Sequence, residues 1–370
     1  MLLIGGVRGC GCSALLHRML NNDYPEAWYT DFDDPRLGGF DAGDFTKLDR
    51  LLEESGKGIA LFNRIDLAAG WIEFCDRKIR QGIKIVSTVS LETLLRLAKA
   101  ERPDGTGAVP DIFSLRRLDL FSYNEFLSFT HKPAGEQAVN EFLSRGAFPG
   151  LIKTGHTEAL HQLYTEILCK DAVIAGGIRD RNTLQRMALH LITNTGEPVT
   201  ANKLREKLKI KAVSTAAEHM QCIETAGLVR FVSILSDNPA RQAVNPRKVY
   251  AVDTALAAAV STAETVDRNK LFETMLFNHL CRESRSVCYT NEQGGCDFIA
   301  SDAEGGVRCI QACYDDDPDL MQTKTDGLLW ALRQTGASRG TIVTADRNDR
   351  IDAENFEIEV IDADTFLGGY

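Results

Sequence analysis

Gly6-Val7-Arg8-Gly9-Cys10-Gly11-Cys12-Ser13 combines glycines, thiols, a hydroxyl and a guanidinium in eight residues. Gly6 and Gly11 have the spacing of G-x-x-x-x-G-K-[ST], where backbone N–H groups at a helix start cradle phosphates, a lysine reaches the β and γ phosphates, and a hydroxyl sits on Mg²⁺. Ser13 supplies that hydroxyl, but Cys12 stands in the lysine's place. A thiol cannot replace an ammonium, and each lost charge-assisted hydrogen bond would have contributed about 1.5–3 kcal/mol. On these residues alone an anion cradle and a plain tight turn weigh equally. A second point of interest is Asn63-Arg64, at the end of an apolar run. A nucleotide hydrolase places Asp-Glu there, the Asp for the metal's water shell and the Glu to align the attacking water. Asn63 is uncharged, and Arg64 cannot act as a base at any accessible pH.

Three elements must position these groups. Leu2–Ile4 is a short apolar run, followed by the glycine turn and an amphipathic stretch from Ala14 to Leu20. Residues 58–66 form a second buried strand, and 83–90 a third that ends in the hydroxyls Ser87, Thr88 and Ser90. Strands alternating with helical stretches imply a parallel sheet covered on both faces.

The chain resembles the AAA-type P-loop ATP-binding proteins of bacteria and archaea that carry a winged helix and a restriction-endonuclease-like C-terminal domain. The resemblance rests on the P-loop frame with Arg8, residues 29–37, Ile65 with Trp71, Ser87-Thr88-Val89-Ser90 and Phe121-Ser122-Tyr123-Asn124-Glu125-Phe126. It continues through Gly146-Ala147-Phe148-Pro149, Lys248-Val249-Tyr250 with Asp253, Phe272-Glu273, Cys296-Asp297-Phe298 and Ile310-Gln311-Ala312-Cys313-Tyr314. It implies a P-loop α/β domain over 1–135, a helical lid with a winged helix-turn-helix over 136–255, and an α/β nuclease-like domain over 256–370. It also implies ATP and Mg²⁺ as cofactors, contacted by Gly6, Arg8, Gly9, Gly11, Cys12, Ser13, Asn63 and Arg64. The family lysine is replaced at Cys12, its Asp-Glu pair at Asn63-Arg64, and its Pro before the Phe-Ser-Phe motif at Leu120; its Gly-Arg pair has no clean counterpart near Asp111-Ile112. Members usually have a helical segment ahead of the P-loop strand, whereas this sequence starts on the strand. Charged catalytic elements missing together point to a degenerate, non-hydrolysing member with no catalytic residues of its own. The alternative is a slow ATPase in which Arg8 replaces the lysine and Asp66, or an acid within 31–34, holds the metal.

Residues 181–250 contain eleven basic and five acidic residues, an excess of six in a chain of net charge −10. A localised basic module is the electrostatic footprint of phosphate-backbone contact, and Lys203, Arg205, Lys207, Lys209 and Lys211 are the candidate nucleic-acid-binding residues. Helical spacing at Leu184, Met187, Ala188 and Leu191, a Thr200 cap, a helix from Ser214 and strands at 228–235 and 247–252 give a winged helix layout. The helix expected to read DNA, 214–225, carries two Glu and no Lys or Arg. A structural or protein-binding wing therefore stands beside DNA contact as a reading.

In the last third, Glu273, Asp297, Gln311 and Cys313 copy the spacing of a metal-dependent nuclease core. There an acid holds Mg²⁺ and an acid-x-lysine pair completes the site. Gln311-x-Cys313 keeps a neutral oxygen and loses the lysine, so the likeness is one of fold and no metal site is expected. Residues 297–370 hold 16 acids and six bases and should avoid DNA by themselves. The clustered cysteines 281, 288, 296, 309 and 313 contain no C-x-x-C pair, and the acidic stretch 315–319 is interrupted by Pro318. The seven histidines, His156, His161, His190 and His219 among them, occur singly and read as surface or packing residues.

At 370 residues the chain calls for more than one core. With 44% apolar and 25% charged residues it is an ordinary globular composition. The acidic balance argues against generic coating of nucleic acid, and no apolar run reaches the 18 or so residues of a membrane helix. A cytoplasmic protein with reduced thiols is expected.

Overall fold

The computed structural model describes every residue except 101–112, 153–156, 175, 237, 239–244, 262–266, 293, 316, 354 and 370. The family position near Asp111-Ile112, together with His156, Asp237, Arg241 and Asp316, therefore lies outside the described residues. The chain divides into two compact units, Met1–Leu120 with Thr225–Gly227, and Phe121–Glu224 with Leu228–Tyr370.

The first unit is a doubly wound parallel sheet. Its elements run β1 Leu2–Gly6, α1 Cys12–Arg18, β2 Trp28–Asp31, α2 Phe45–Ser55, β3 Ile59–Asn63, α3 Trp71–Arg80, β4 Lys84–Ser90, α4 Leu91–Ala100 and β5 Ser114–Arg117. The spatial order is β2-β3-β4-β1-β5, with every neighbouring pair parallel. Alternation along β3 explains the two covered faces. Ala60 and Phe62 enter one core with Leu3, Phe45, Trp71 and Phe74, where the Phe45 and Phe74 rings stack at 4.3 Å. Leu61 turns to the opposite face and packs with Leu16 and Ala27. The carboxyl ends of β1, β3 and β4 thus come together beside the glycine turn, where open α/β sheets bind ligands.

The second unit begins with helices: α5 Tyr123–Thr130, α6 Glu136–Arg145, α7 Pro149–Ile152, α8 Thr157–Glu166 and α9 Arg181–Thr193. There follow β6 Pro198–Val199, α10 Ala201–Leu208, α11 Val213–Thr225, β7 Val229–Val232 and β8 Arg247–Ala251. Thr200 caps α10 by accepting from the Lys203 N–H, and β8 pairs antiparallel with β7. The short β6 adds a third strand, which two residues carry no periodicity to announce. Next come α12 Thr254–Val260 and α13 Arg268–Glu283, and then β9 Ser286–Thr290, β10 Cys296–Ser301, β11 Val307–Cys313, α14 Pro318–Thr335, β12 Arg339–Thr344, β13 Asp349–Ala353, β14 Phe356–Asp362 and α15 Ala363–Gly368. The six strands lie in the order β13-β14-β12-β11-β10-β9. The sequence pattern of helix, strand, strand, helix, strand has three strands where the structure has six. The edge strands β9 and β13 are short, and β13 turns only Ile351 and Ala353 toward the core.

Two sequence motifs prove to be one contact. Asp253 caps α12 with one oxygen, accepting from the Leu256 N–H at 2.8 Å, and with the other accepts from the Ala147 N–H at 2.6 Å. The Gly-Ala-Phe-Pro turn and the lone Asp are therefore halves of a single buried joint. The segments after β7 and before β8 are tied to the six-stranded sheet as well. The Leu235 N–H donates to the Tyr289 carbonyl at 2.7 Å and the Tyr289 hydroxyl to the Pro246 carbonyl at 2.6 Å.

Candidate functional site

The glycine turn leaves β1 and enters α1 through Gly11, which holds φ +107°. Gly6 is needed for close approach: a Cβ there would lie 2.2 Å from the Leu118 carbonyl oxygen and 2.6 Å from Cys10 Sγ. No side chain caps α1, so the N–H groups of its first turn face the loop. Ser13 and Asn63, 50 residues apart in sequence, meet here: Ser13 Oγ donates to Asn63 Oδ1 at 3.0 Å. Thr88 Oγ1 donates to the same oxygen at 2.7 Å, and Asn63 Nδ2 donates to Asp31 Oδ1 at 2.9 Å. With both ends of the amide engaged, its orientation is set by the network. Asn63 is only 4% exposed. It joins the loop hydroxyl, the third strand and the Asp31 carboxylate.

Arg64 follows in left-handed backbone, φ +53°, with its N–H on Thr88 Oγ1 and its Nε donating to Asp66 Oδ1 at 3.0 Å. The other Asp66 oxygen accepts from the Ser90 N–H and Thr93 Oγ1 at 2.9 and 3.2 Å. Asp66 therefore pins the β3 and β4 ends together, and both of its oxygens are occupied by donors. The expectation that it holds a metal gives way to this geometry. Asp31 remains as the carboxylate nearest the Ser13–Asn63 pair in the bonding network. Arg8 is drawn away from the lysine's role by Asp33, with Nη1 3.4 Å from Oδ2. Cys12 Sγ lies 3.5 Å from Cys10 Sγ. The hydrogen bond between them lowers the Cys10 thiol's pKa and, with burial, raises that of Cys12.

The donors here suit a nucleotide's phosphates better than a bare cation. Backbone N–H groups and a hydroxyl surround the turn, while the metal-facing position offers a neutral amide. Mg²⁺ commonly binds through one or two carboxylates plus substrate phosphates; Ser13 and Asp31 would serve such an ion once phosphates were present.

The nuclease-like residues also converge, in the second unit. Glu273 on α13, Asp297 on β10 and Gln311 on β11 surround two ammonium groups that the spacing did not single out. Lys248 Nζ on β8 lies 2.8 Å from Glu273 Oε1 and 3.1 Å from Asp297 Oδ1. Lys324 Nζ on α14 lies 2.5 Å from Asp297 Oδ2. The Tyr250 hydroxyl donates to Glu273 Oε1 at 2.6 Å. Gln311 Oε1 accepts from the Asp297 N–H, while its Nε2 donates to the Gly295 and Lys324 carbonyls. Cys313 shares the strand face but turns its thiol to the Asp315 carbonyl. Burial alone would raise the Asp297 carboxyl, but the Lys324 and Lys248 ammoniums overcome it and hold the group well below the usual carboxylate range. Burial likewise opposes the charge on Lys248, and Asp297 and Glu273 reverse that and raise its pKa. The charges balance, two against two, with an ammonium between the carboxylates where the nuclease pattern places a metal. The signal for Lys248 and Tyr250 is their i, i+2 spacing on one face of β8. Lys324 falls four residues before buried Leu328 on the apolar face of α14.

Lys248 therefore leaves the basic module in which its position along the chain had placed it. Lys203, Lys207, Lys209 and Lys211 do sit exposed on α10 and the turn after it, whereas Arg205 is held by Asn202 and Glu206 and Arg247 covers the Phe231 ring at 4.5 Å. His219 on α11 is buried, and Cys296, Cys309 and Cys313 belong to the core of the six-stranded sheet. Among the described residues no helix is long and apolar enough to cross a membrane.

A family described as a domain of unknown function (DUF8612) matches residues 136–267. No curated protein matches the chain. Among solved structures, a Walker-type ATPase of Pyrococcus abyssi is 14% identical, covering 70% of this chain and 90% of its own, with a TM-score of 0.41. The RuvB Holliday junction branch migration motor of Thermotoga maritima is also 14% identical, covering 62% of this chain and 80% of its own, with a TM-score of 0.31. At those values neither likeness speaks to activity.

Proposed function

We propose that the chain is an AAA-type P-loop protein that binds ATP at the turn Gly6–Ser13 and uses the bound nucleotide as a conformational element, without efficient hydrolysis. The observation that carries this reading is Asn63. It keeps the connection from the Ser13 hydroxyl to the sheet, as a metal-binding Asp would, yet it brings no charge. The neighbouring position, where a hydrolase aligns water, holds Arg64 tied to Asp66. Binding survives such a change because backbone N–H groups provide much of the phosphate contact; efficient turnover does not, because the position that would align the attacking water holds Arg64, which cannot take up a proton. The ionic cluster of the second unit then reads as a relic of a nuclease-like fold in which lysines fill a metal's place.

Calorimetric titration of ATP and ADP with Mg²⁺ into the purified chain tests this. Micromolar binding with no phosphate release supports it, and Ser13→Ala weakens that binding. Sustained Mg²⁺-dependent turnover abolished by Ser13→Ala would refute it; turnover abolished by Arg8→Ala would instead establish the slow ATPase. A second reading, DNA contact through Lys203, Lys207, Lys209 and Lys211, is favoured by their exposure on one helix and its following turn.

A further inference from the structure

The two thiols of the glycine turn are placed to react with each other. Their sulfurs stand 3.5 Å apart, separated in sequence only by Gly11. Cys10 is buried, and its sulfur sits so close to Gly6 that even a Cβ there would lie 2.6 Å from it. Cys12 is partly exposed. We infer that Cys10 and Cys12 are an oxidisable pair, and that closing a disulfide between them locks the turn in a shape that no longer holds phosphate. The consequence for nucleotide rests on the function proposed above; the chemistry of the pair does not.

The oxidant is a hydroperoxide, hydrogen peroxide being the simplest. A thiolate sulfur attacks one peroxide oxygen and the O–O bond breaks. The leaving hydroxide takes up a proton as water, and a sulfenic acid remains. The second sulfur then displaces the hydroxyl from that sulfenic sulfur, forming the S–S bond and a second water. In sum two thiols and one peroxide give one disulfide and two waters; the sulfurs lose two electrons and the peroxide gains them. Thiolate is the reactive form, and a thiolate on either sulfur has the other thiol 3.5 Å away as its hydrogen-bond partner. Cys75 and Cys296, by contrast, lie in apolar cores where burial pushes their thiols up.

Closure must shorten the sulfur separation to about 2.05 Å. The backbone between the two cysteines supplies that movement, and Gly11, already in left-handed conformation, is the residue able to yield. The Cys10 N–H to Val7 carbonyl bond at 3.0 Å and the Ser13–Asn63 bond at 3.0 Å flank the ring and shift with it. Loss of this preorganised arrangement should weaken ATP binding roughly tenfold or more, and a thiol reductant should restore it.

Trypsin releases Gly9–Arg18, a peptide holding both cysteines and no other. After stoichiometric hydrogen peroxide and alkylation without reductant, this peptide should appear unalkylated and lighter by two hydrogens, and return to the doubly alkylated form after dithiothreitol. If both cysteines stay alkylatable, or pass to sulfonic acid with no bridge, the inference is overturned. The second readout is ATP titration into reduced and peroxide-treated full chain. Equal binding by both overturns the lock. No binding by the reduced chain overturns the nucleotide reading instead, and the peptide alone then decides whether the pair is oxidisable. Cys10→Ser should bind ATP identically before and after peroxide; should it fail to fold, Cys12→Ser, at the partly exposed position, makes the same comparison.

Discussion

Replacing Lys248 by Met removes one ammonium from the ionic cluster and keeps most of the side chain's volume. Lys248 lies 2.8 Å from Glu273 and 3.1 Å from Asp297, and the side chains of all three are at most 15% exposed. Lys324 continues to neutralise Asp297, so Glu273 loses its directly bonded ammonium and keeps the Tyr250 hydroxyl and the less direct attraction of Lys324. Breaking a buried ion pair by removing one partner costs about 3–5 kcal/mol, most of it the uncompensated charge. For a unit of this size that corresponds to a fall of roughly 6–20 °C in melting temperature. Chemical denaturation and calorimetry at pH 7 read it directly. Lys248→Met combined with Glu273→Gln should recover most of the loss, because the stranded charge leaves with the second change. The pH dependence follows from the directions of the shifts. The Asp297 carboxyl is depressed on folding, so its share of stability is present above the unfolded carboxylate range and is lost as pH falls. The Lys248 ammonium is raised, so its share is present below the unfolded lysine value and is lost as pH rises through the folded one. The wild-type contribution is therefore level from roughly pH 5 to 9. A loss below about 1 kcal/mol would show that the cluster is solvated and the reasoning wrong.

Gly146→Ala attacks the joint between the Gly-Ala-Phe-Pro turn and α12: a Cβ at φ +70° would lie 2.3 Å from Asp253 Oδ2. The expected loss is about 3 kcal/mol or more by denaturant titration, and a loss under about 1 kcal/mol would refute the joint. Burial raises the Asp253 carboxyl to about 6. The folded state then holds this proton more tightly than the unfolded state, and stability falls by roughly 3 kcal/mol as pH rises from about 4 to 6. Asp253→Asn should remove that slope while adding a constant loss for the Ala147 bond; a slope shared by both proteins sinks the assignment. Lys203/Lys207/Lys209→Glu should lower the salt dependence of duplex DNA binding by about 0.9 for each phosphate no longer neutralised. A slope unchanged by the triple substitution, measured by anisotropy across a salt series, rejects DNA contact at α10.

Features that depend on local periodicity and local sterics were legible along the chain. The glycine turn, its flanking strand and helix, the Thr200 cap and the antiparallel pair β7 and β8 all lie where spacing and turn chemistry put them, because side-chain direction repeats every 2 or 3.6 residues. The absence of charge at Cys12 and Asn63 was equally legible, since residue type alone decides it. Which distant groups became partners was settled by the fold. Asn63 joins Ser13, Thr88 and Asp31 because three parallel strands end at one edge. Asp66 is consumed by Arg64 and by β4 rather than left for a metal. Lys248 leaves the basic surface because β8 lies against α13 and β10, which turns its ammonium inward to two carboxylates 25 and 49 residues away. A charge's meaning depends on whether water or another charge faces it, and that is set by strand order and helix packing rather than by its neighbours along the chain.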